Sequence, residues 1–204
     1  MTNPDTHPTN AHLHAPIVGE TPTQRLIAEH ALILQALAAL EAKIAAWEGG
    51  EPPDRTYVEK AVEFLRSFAD RCHHGKEEDI LFTAMVEELD FPRNAGPVAV
   101  LTREHDQGRA FLRKIGEAAA VLEQDPDALR RVIRNGREYI QLLRIHIDRE
   151  NNVVFPMVDQ FLADADNARL SRQFDEFERE EMGDGKHEAL MGLLAELTQG
   201  PEGV

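Results

Sequence analysis

The chain has one cysteine, no membrane-length apolar run and no stretch in which apolar and polar residues alternate, and each absence narrows what it can be. Cys72 has no intramolecular partner, so no disulfide framework holds the fold; this suits a reducing compartment, and a cytoplasmic location is expected. The first residues, MTNPDTHPTNAHLHAP, lack the basic and apolar regions of a secretory leader, and nowhere do apolar residues run far enough to span a bilayer. Without strand-like alternation, an all-α fold is left. Positive charge is also short: 22 Lys and Arg stand against 37 Asp and Glu, a formal charge of −15, which would repel a nucleic-acid backbone over most of the surface. What remains, at 204 residues, is room for one sizeable core with appendages.

Residues 1–20 are rich in Pro, Thr, Asn and His and read as a disordered tail; His7, His12 and His14 lie in it, where nothing would preorganise a metal geometry. From Thr21 the pattern turns helical. Thr21-Pro22 suits an N-cap and first-turn proline, and Leu26, Ile27, Ile33, Leu34, Leu37 and Ile44 form one stripe ending near Trp47. Breaks at Gly49-Gly50, Pro52-Pro53 and Phe91 to Pro97 set off a second helix from about Asp54 to Leu89 and a third from about Val98 to Glu123. Asp125-Pro126 caps a fourth, which runs to about Leu162. Short connections between long helices imply an antiparallel up-down-up-down four-helix bundle over residues 21–163. Two further amphipathic stretches, Asn167 to Met182 and Lys186 to Leu197, make residues 164–204 a C-terminal helical extension expected to pack on the bundle, or to offer a homodimer surface.

The two halves of the bundle repeat one pattern. Glu29-His30 is echoed by Glu104-His105, and the segment from His73 to Thr83 aligns without gaps on that from His146 to Pro156, both reading His-x-x-basic-Glu-x-Asp/Asn-x-aliphatic-Phe. His30 precedes His73 by 43 residues and His105 precedes His146 by 41. A spacing of i to i+4 puts His73 and Glu77 on one helix face about a turn apart, and His146 and Glu150 likewise, which is a chelating arrangement. The apolar arc of Leu142, Leu143, Val153, Val154 and Met157 encloses His146 and Glu150, pointing them inward, where a bare carboxylate would be costly without a partner. Counting from the helix ends places the four histidines at one level, within two positions or about 3 Å of one another. Four imidazoles and two carboxylates exceed what one zinc ion needs and suit a pair of borderline metals such as iron. The competing reading is a polar network of buried histidines satisfied by carboxylates.

With His30, His73-x-x-x-Glu77, His105 and His146-x-x-x-Glu150 in this order, the chain resembles the hemerythrin-like HHE cation-binding family over about residues 20–163. The resemblance implies a bundle holding two iron ions bridged by oxygen and carboxylates, with Glu77 and Glu150 as bridges and His30, His73, His105 and His146 as terminal ligands. It also implies a small diatomic ligand or peroxide as partner, in oxygen carriage or sensing, iron handling, or nitric-oxide and peroxide responses. Two departures turn the expectation away from classical oxygen carriage. Arg109 stands where those proteins place a second helix-three histidine, and Glu150 follows the last histidine at i+4 where they have Asp at i+5.

Several neighbours allow more than one use. His74-x-x-x-Glu78 repeats the chelate spacing, but the internal alignment selects His73 and Glu77. Arg109 could pair with Glu77 or Glu150, hold an anionic ligand, or be solvated. Glu29 and Glu104 are read as exposed, with acceptance of imidazole N–H groups as the alternative. Tyr139 reads as core, Cys72 as a buried thiol and His187 as a local capping residue. The expected function is a diiron binding module for dioxygen, nitric oxide or iron; a diiron enzyme acting on peroxide or dioxygen is the first alternative, and a structural or zinc-filled bundle the second.

Overall fold

Thr21 and Gln24 cap each other reciprocally at the start of helix α1 (Pro22–Glu48): the Gln24 N–H donates to the Thr21 hydroxyl at 3.2 Å and the Thr21 N–H donates to the Gln24 side chain at 2.9 Å. Pro22 follows, where a missing N–H costs nothing. These interactions are taken from a computed structural model that describes residues 21–183 and 185–199; the tail expected over residues 1–20, with His7, His12 and His14, lies outside them.

Asp54 caps α2 (Arg55–Phe64) by accepting from the Tyr57 N–H. The rod then changes hydrogen-bonding pattern twice, through a ten-residue π-helix, π1 (Leu65–His74), and a shorter one, π2 (Glu77–Leu81), before ending as α3 (Phe82–Glu87). After the Pro-Gly break come α4 (Gly96–Ala119) and α5 (Ala128–Arg149), and α5 too runs into a π-helix, π3 (Glu150–Val154), and then α6 (Phe155–Asp159). The C-terminal helices are α7 (Asp164–Met182) and α8 (Lys186–Thr198). Among the described residues there is no strand, and no helix is long and apolar enough to cross a membrane.

Side-chain pairs give the packing. Along α1 and the second rod, Trp47 meets Tyr57 and His30 meets His73; along α1 and α5, Glu48 meets Arg137, Glu41 meets Arg144, and His30 meets Asn151 just beyond. In each pair of rods one number falls as the other rises. Gly116 lies against Val62 and Arg109 against Asp70, and Gly108 approaches Tyr139 while His105 meets His146, which closes the ring of four rods. Helix α7 covers the π1–π2 region and α8 lies on α1 and α2.

The core is split in two. One apolar cluster fills the end around Ile33, Ile44, Phe64, Leu112 and Tyr139, and a second the end around Leu26, Leu81, Phe82, Leu101 and Phe155. Between them sits a buried polar layer of His30, His73, His74, Glu77, His105, His146 and Glu150. Two residues placed on the apolar stripes by α-helical counting are exposed, Ile27 at 39% and Val153 at 58%. Val153 lies in π3, whose wider turn rotates later side chains away from the α-helical register.

Candidate metal centre

The polar layer is assembled where the helices widen. Glu77 opens π2 and Glu150 opens π3, each four residues after a histidine, and π1 ends on His73 and His74, both buried. π-helical turns inside α-helices are frequent at functional sites, where the wider turn re-aims side chains without breaking the rod.

Two groups of potential ligands result. His30, His73, Glu77 and Glu150 form one, and His74, Glu77, His105 and His146 the other, each with its donor atoms within 4.8 Å of one another and every residue buried. Glu77 belongs to both: Oε1 lies 3.4 Å from His73 Nε2 and Oε2 lies 3.4 Å from His105 Nε2. Glu150 also reaches both sides, its Oε2 being 3.2 Å from Nε2 of His30 and of His146. The six residues expected from the sequence are therefore brought together. Glu78, the partner in the shifted spacing, is not among them, but His74 is, as a fifth imidazole.

Four of the five rings are aimed from behind by a hydrogen bond. His73 Nδ1 donates to Glu29 at 2.8 Å, His146 Nδ1 to Glu104 at 3.0 Å, His105 Nδ1 to Glu78 at 2.6 Å and His30 Nδ1 to the Asn151 side-chain oxygen at 2.7 Å. His74 Nδ1 faces Asp70 at 3.6 Å, beyond hydrogen-bond range. A carboxylate only accepts, so it fixes the ring proton on Nδ1 and leaves a lone pair on Nε2, turned inward. His30 and His73 then face each other Nε2 to Nε2 at 2.9 Å, and His105 and His146 at 3.1 Å.

These contacts give the sequence repeat a physical meaning. The glutamate of each Glu-His pair accepts from the histidine of the following rod, and the basic residue three places after that histidine clamps the same glutamate: Lys76 on Glu29, Arg149 on Glu104. The residue after each chelating glutamate, Glu78 or Asn151, accepts from His105 or His30. The repeated phenylalanines stack on those same rings, Phe82 on His105 at 5.8 Å and Phe155 on His30 at 5.7 Å.

The electrostatics are those of a site built for cations. Burial pushes His73, His74 and His105 well below the usual imidazole range, helped by His30 or Lys76 at His73, by neighbouring histidines at His74, and by His146 and Arg109 at His105, so all three rings are neutral at pH 7. Burial also drives Glu77 well above the usual carboxylate range, with the Glu150 charge adding to it. None of the four oxygens of Glu77 and Glu150 makes a hydrogen bond, and neither nitrogen of His74 does. A fully satisfied polar network would leave no such orphans, because an unpaired buried polar group is expensive. Cations shared by converging lone pairs and carboxylates remove the cost, and the mixed N/O donor set fits iron.

Several sequence expectations need correcting. Glu29 is buried and Glu104 mostly so, each held between a ring N–H and a cation rather than exposed. Arg109 touches neither Glu77 nor Glu150 and is not free in solvent: it binds Asp70, Glu78 and Asp106, tying together the carboxylates behind His74 and His105. Burial opposes the Arg109 charge, but Glu78 and Asp70 outweigh it and raise its pKa. Tyr139 is core, as expected. Cys72 is a buried thiol, pushed up to about 12 chiefly by burial, on the wall of a cavity of about 310 Å³ that Glu29, Glu178 and His187 also line. His187 lies in the first turn of α8, near Phe68, with ring centroids 6.4 Å apart.

Comparison with known proteins agrees with this geometry. An uncharacterized protein of Mycobacterium tuberculosis is 20% identical over 180 residues, spanning 88% of this chain and 69% of that protein. The iron-sulfur cluster repair protein YtfE of Cronobacter sakazakii is 37% identical over 87 residues, and YtfE of Escherichia coli 36%; each match spans 41% of this chain and 39% of the relative. No solved structure gives a significant match. The model of the hemerythrin HHE cation binding domain matches residues 21–158, and the chain belongs to that family.

Proposed function

We propose that the chain is a non-haem diiron protein that binds a small ligand, dioxygen or nitric oxide, or holds iron itself, for sensing, storage or stress response. On this reading the four rods form an antiparallel up-down-up-down bundle, a reading supported by opposed numbering in each packed pair. One iron would be held by His30, His73, Glu77 and Glu150 and the other by His74, His105 and His146 with Glu77, with Glu150 within reach of His146 as well as His30. The observation that carries the proposal is Glu77: one fully buried carboxylate without a hydrogen bond, each oxygen directed at a different group of imidazoles. When bound, iron would supply one-electron redox chemistry and exchangeable coordination positions.

The chain's own contribution is orientation and exclusion. Carboxylates and Asn151 hold the rings with Nε2 inward, two apolar clusters close the layer from either end, and Phe82 and Phe155 shield His105 and His30. Arg109 is engaged by three carboxylates, so it offers no free cation to an anionic peroxide, and binding is favoured over peroxide activation. The names of the YtfE relatives add iron handling as a use consistent with the same ligands. The unpaired buried thiol of Cys72 supports a reducing, cytoplasmic setting.

The test is anaerobic purification with metal analysis, followed by optical spectra in air, after degassing and with peroxide. The proposal expects two irons per chain and a spectral change that degassing reverses or nitric oxide displaces. Sustained peroxide consumption would shift the assignment to an enzyme, and stoichiometric zinc with no uptake of iron would overturn the diiron reading.

A further inference from the structure

The family match ends at residue 158, yet helix α7, which begins at Asp164, reaches the back of the metal layer. Lys76 is 0% exposed, and its ammonium lies between two carboxylates: Glu29, whose other oxygen accepts from His73 Nδ1, and Glu178 of α7. Phe174 of α7 lies 5.5 Å from the same ammonium. Phe177 packs so tightly on Gly75 that a Cβ there would come within 2.5 Å of the ring. The equivalent cation of the second half, Arg149, is 33% exposed and binds Glu104, and among the described residues no ion pair joins it to α7.

We propose that Glu178 and Lys76 are positioning residues for the iron held by His30 and His73, so that α7 is part of the metal site rather than a separate appendage; this rests on the diiron reading above. A carboxylate behind a ligating imidazole raises its basicity, and a cation on that carboxylate weakens the effect. Glu178 takes up part of the Lys76 charge and thereby leaves Glu29 a strong acceptor. Glu178→Gln keeps the acceptor oxygen but removes the charge, so Lys76 bears fully on Glu29 and His73 becomes a poorer donor to ferric iron. The effect is confined to one of the two irons, because His105 and His146 are backed by Glu78 and Glu104, and His74 faces Asp70.

The experiment compares full-length wild-type protein with Glu178→Gln, Lys76→Met and Asp175→Asn. Asp175 is the control: it lies on the same helix and shares Arg25 with Glu178, but it is not one of the carboxylates that hold Lys76. Mössbauer spectra of the iron-57-loaded proteins and the rate of iron loss to a ferrous chelator are the readouts. The expected result is that Glu178→Gln moves one quadrupole doublet, leaves the other in place, and releases one iron roughly tenfold faster. Asp175→Asn behaves as wild type, and Glu178→Gln folds with a lowered unfolding midpoint, because Glu29 still pairs with the buried Lys76, so the result does not depend on whether Lys76→Met folds. Equal changes in both doublets, equal effects of Glu178→Gln and Asp175→Asn, or no effect of Glu178→Gln would overturn the link while leaving the diiron reading intact. A wild-type protein that binds no iron would overturn both.

Discussion

The two halves of the repeat reach the same layer with unequal means. The first half places two successive imidazoles, His73 and His74, inside the bundle, one in each ligand group, while the second places His146 there and follows it with apolar Ile147. The first half widens over the ten residues that end on its two histidines, whereas the second stays α-helical through Arg149 and widens only from Glu150. The first half also lies under α7, so Cys72 and Lys76 are buried on a face that would otherwise meet water. A duplicated pattern thus supplies the frame, and the departures from it decide which rod carries more of the metal chemistry.

The sharpest way to break the comparison is to remove the residue both groups share. Glu77→Gln is expected to lower iron content by roughly tenfold or more, measured by metal analysis after anaerobic loading, because both groups lose a bridge. His74→Ala is expected to halve the iron content, leaving the group of His30, His73, Glu77 and Glu150. If His74→Ala kept both irons, the two halves would be equivalent and His74 merely a buried ring.

Acid stability is the next largest effect, and it too falls unevenly. In the metal-free protein His73, His74 and His105 have pKa values well below the ordinary 6.5, so the unfolded chain takes up their protons first. Their contribution to stability is complete above pH 6.5 and is lost as pH falls below it. Glu77, raised well above 4.5, has the opposite sign: its contribution is complete below pH 4.5 and is lost as pH rises through its folded value. Between these limits three imidazoles act against one carboxyl, so the imidazoles set the sign of the slope and stability falls as pH is lowered. Urea unfolding of metal-free protein at a series of pH values should show stability falling steeply from pH 6.5 towards 4.5. A flat profile would mean that the rings are protonated in the fold, which neutral ligands cannot be.

How much of this could be read beforehand depends on which interactions are local. The caps at Thr21 and Asp54, the breaks, the helical character and six buried ligand candidates follow from spacing along single rods. His74 escapes the repeat, because the alignment that pairs His73 with His146 sets His74 against apolar Ile147. Nothing in the composition of residues 65–74 announces a π-helix. Glu29 and Glu104 were misjudged for a related reason: each sits beside a ligand on its own helix, yet its partners, Lys76 and Arg149, come from another rod. Yet the repeat held the signal, since a basic residue recurring three places after the histidine is what clamps the glutamate of the Glu-His pair. Arg109 required knowing where Asp70 and Glu78 would lie.

Packing under α7 offers a smaller test. Gly75 aligns with Asp148, and only Gly75 is covered by a neighbouring helix. Replacing it by alanine forces the Phe177 ring or α7 itself to move, at a cost of about 1–3 kcal/mol. That is partly offset by a gain of about 1 kcal/mol in helix propensity. A net loss of about 1 kcal/mol is expected from Gly75→Ala in urea unfolding, while Asp148→Ala, at an exposed position, should stay within about 0.5 kcal/mol of wild type.

The smallest expected effect comes from making the halves more alike. His105 is backed by the carboxylate of Glu78 and His30, at the equivalent place, by the neutral amide of Asn151. A carboxylate makes a ring N–H bond stronger and the ring a better donor to a cation, so Asn151→Asp should tighten iron on the His30 side. Asp is almost the same shape as Asn, so its oxygen can take the 2.7 Å position already occupied by the amide oxygen. The gain is limited because Asn151 is only half-buried and Glu150, next to it, repels a second charge. Loss of iron to a ferrous chelator should slow severalfold at most, with one Mössbauer doublet moving and the other unchanged. If both irons were released at unchanged rates, the amide at 151 would be a packing choice, and the difference between the halves would rest on His74 and α7 alone.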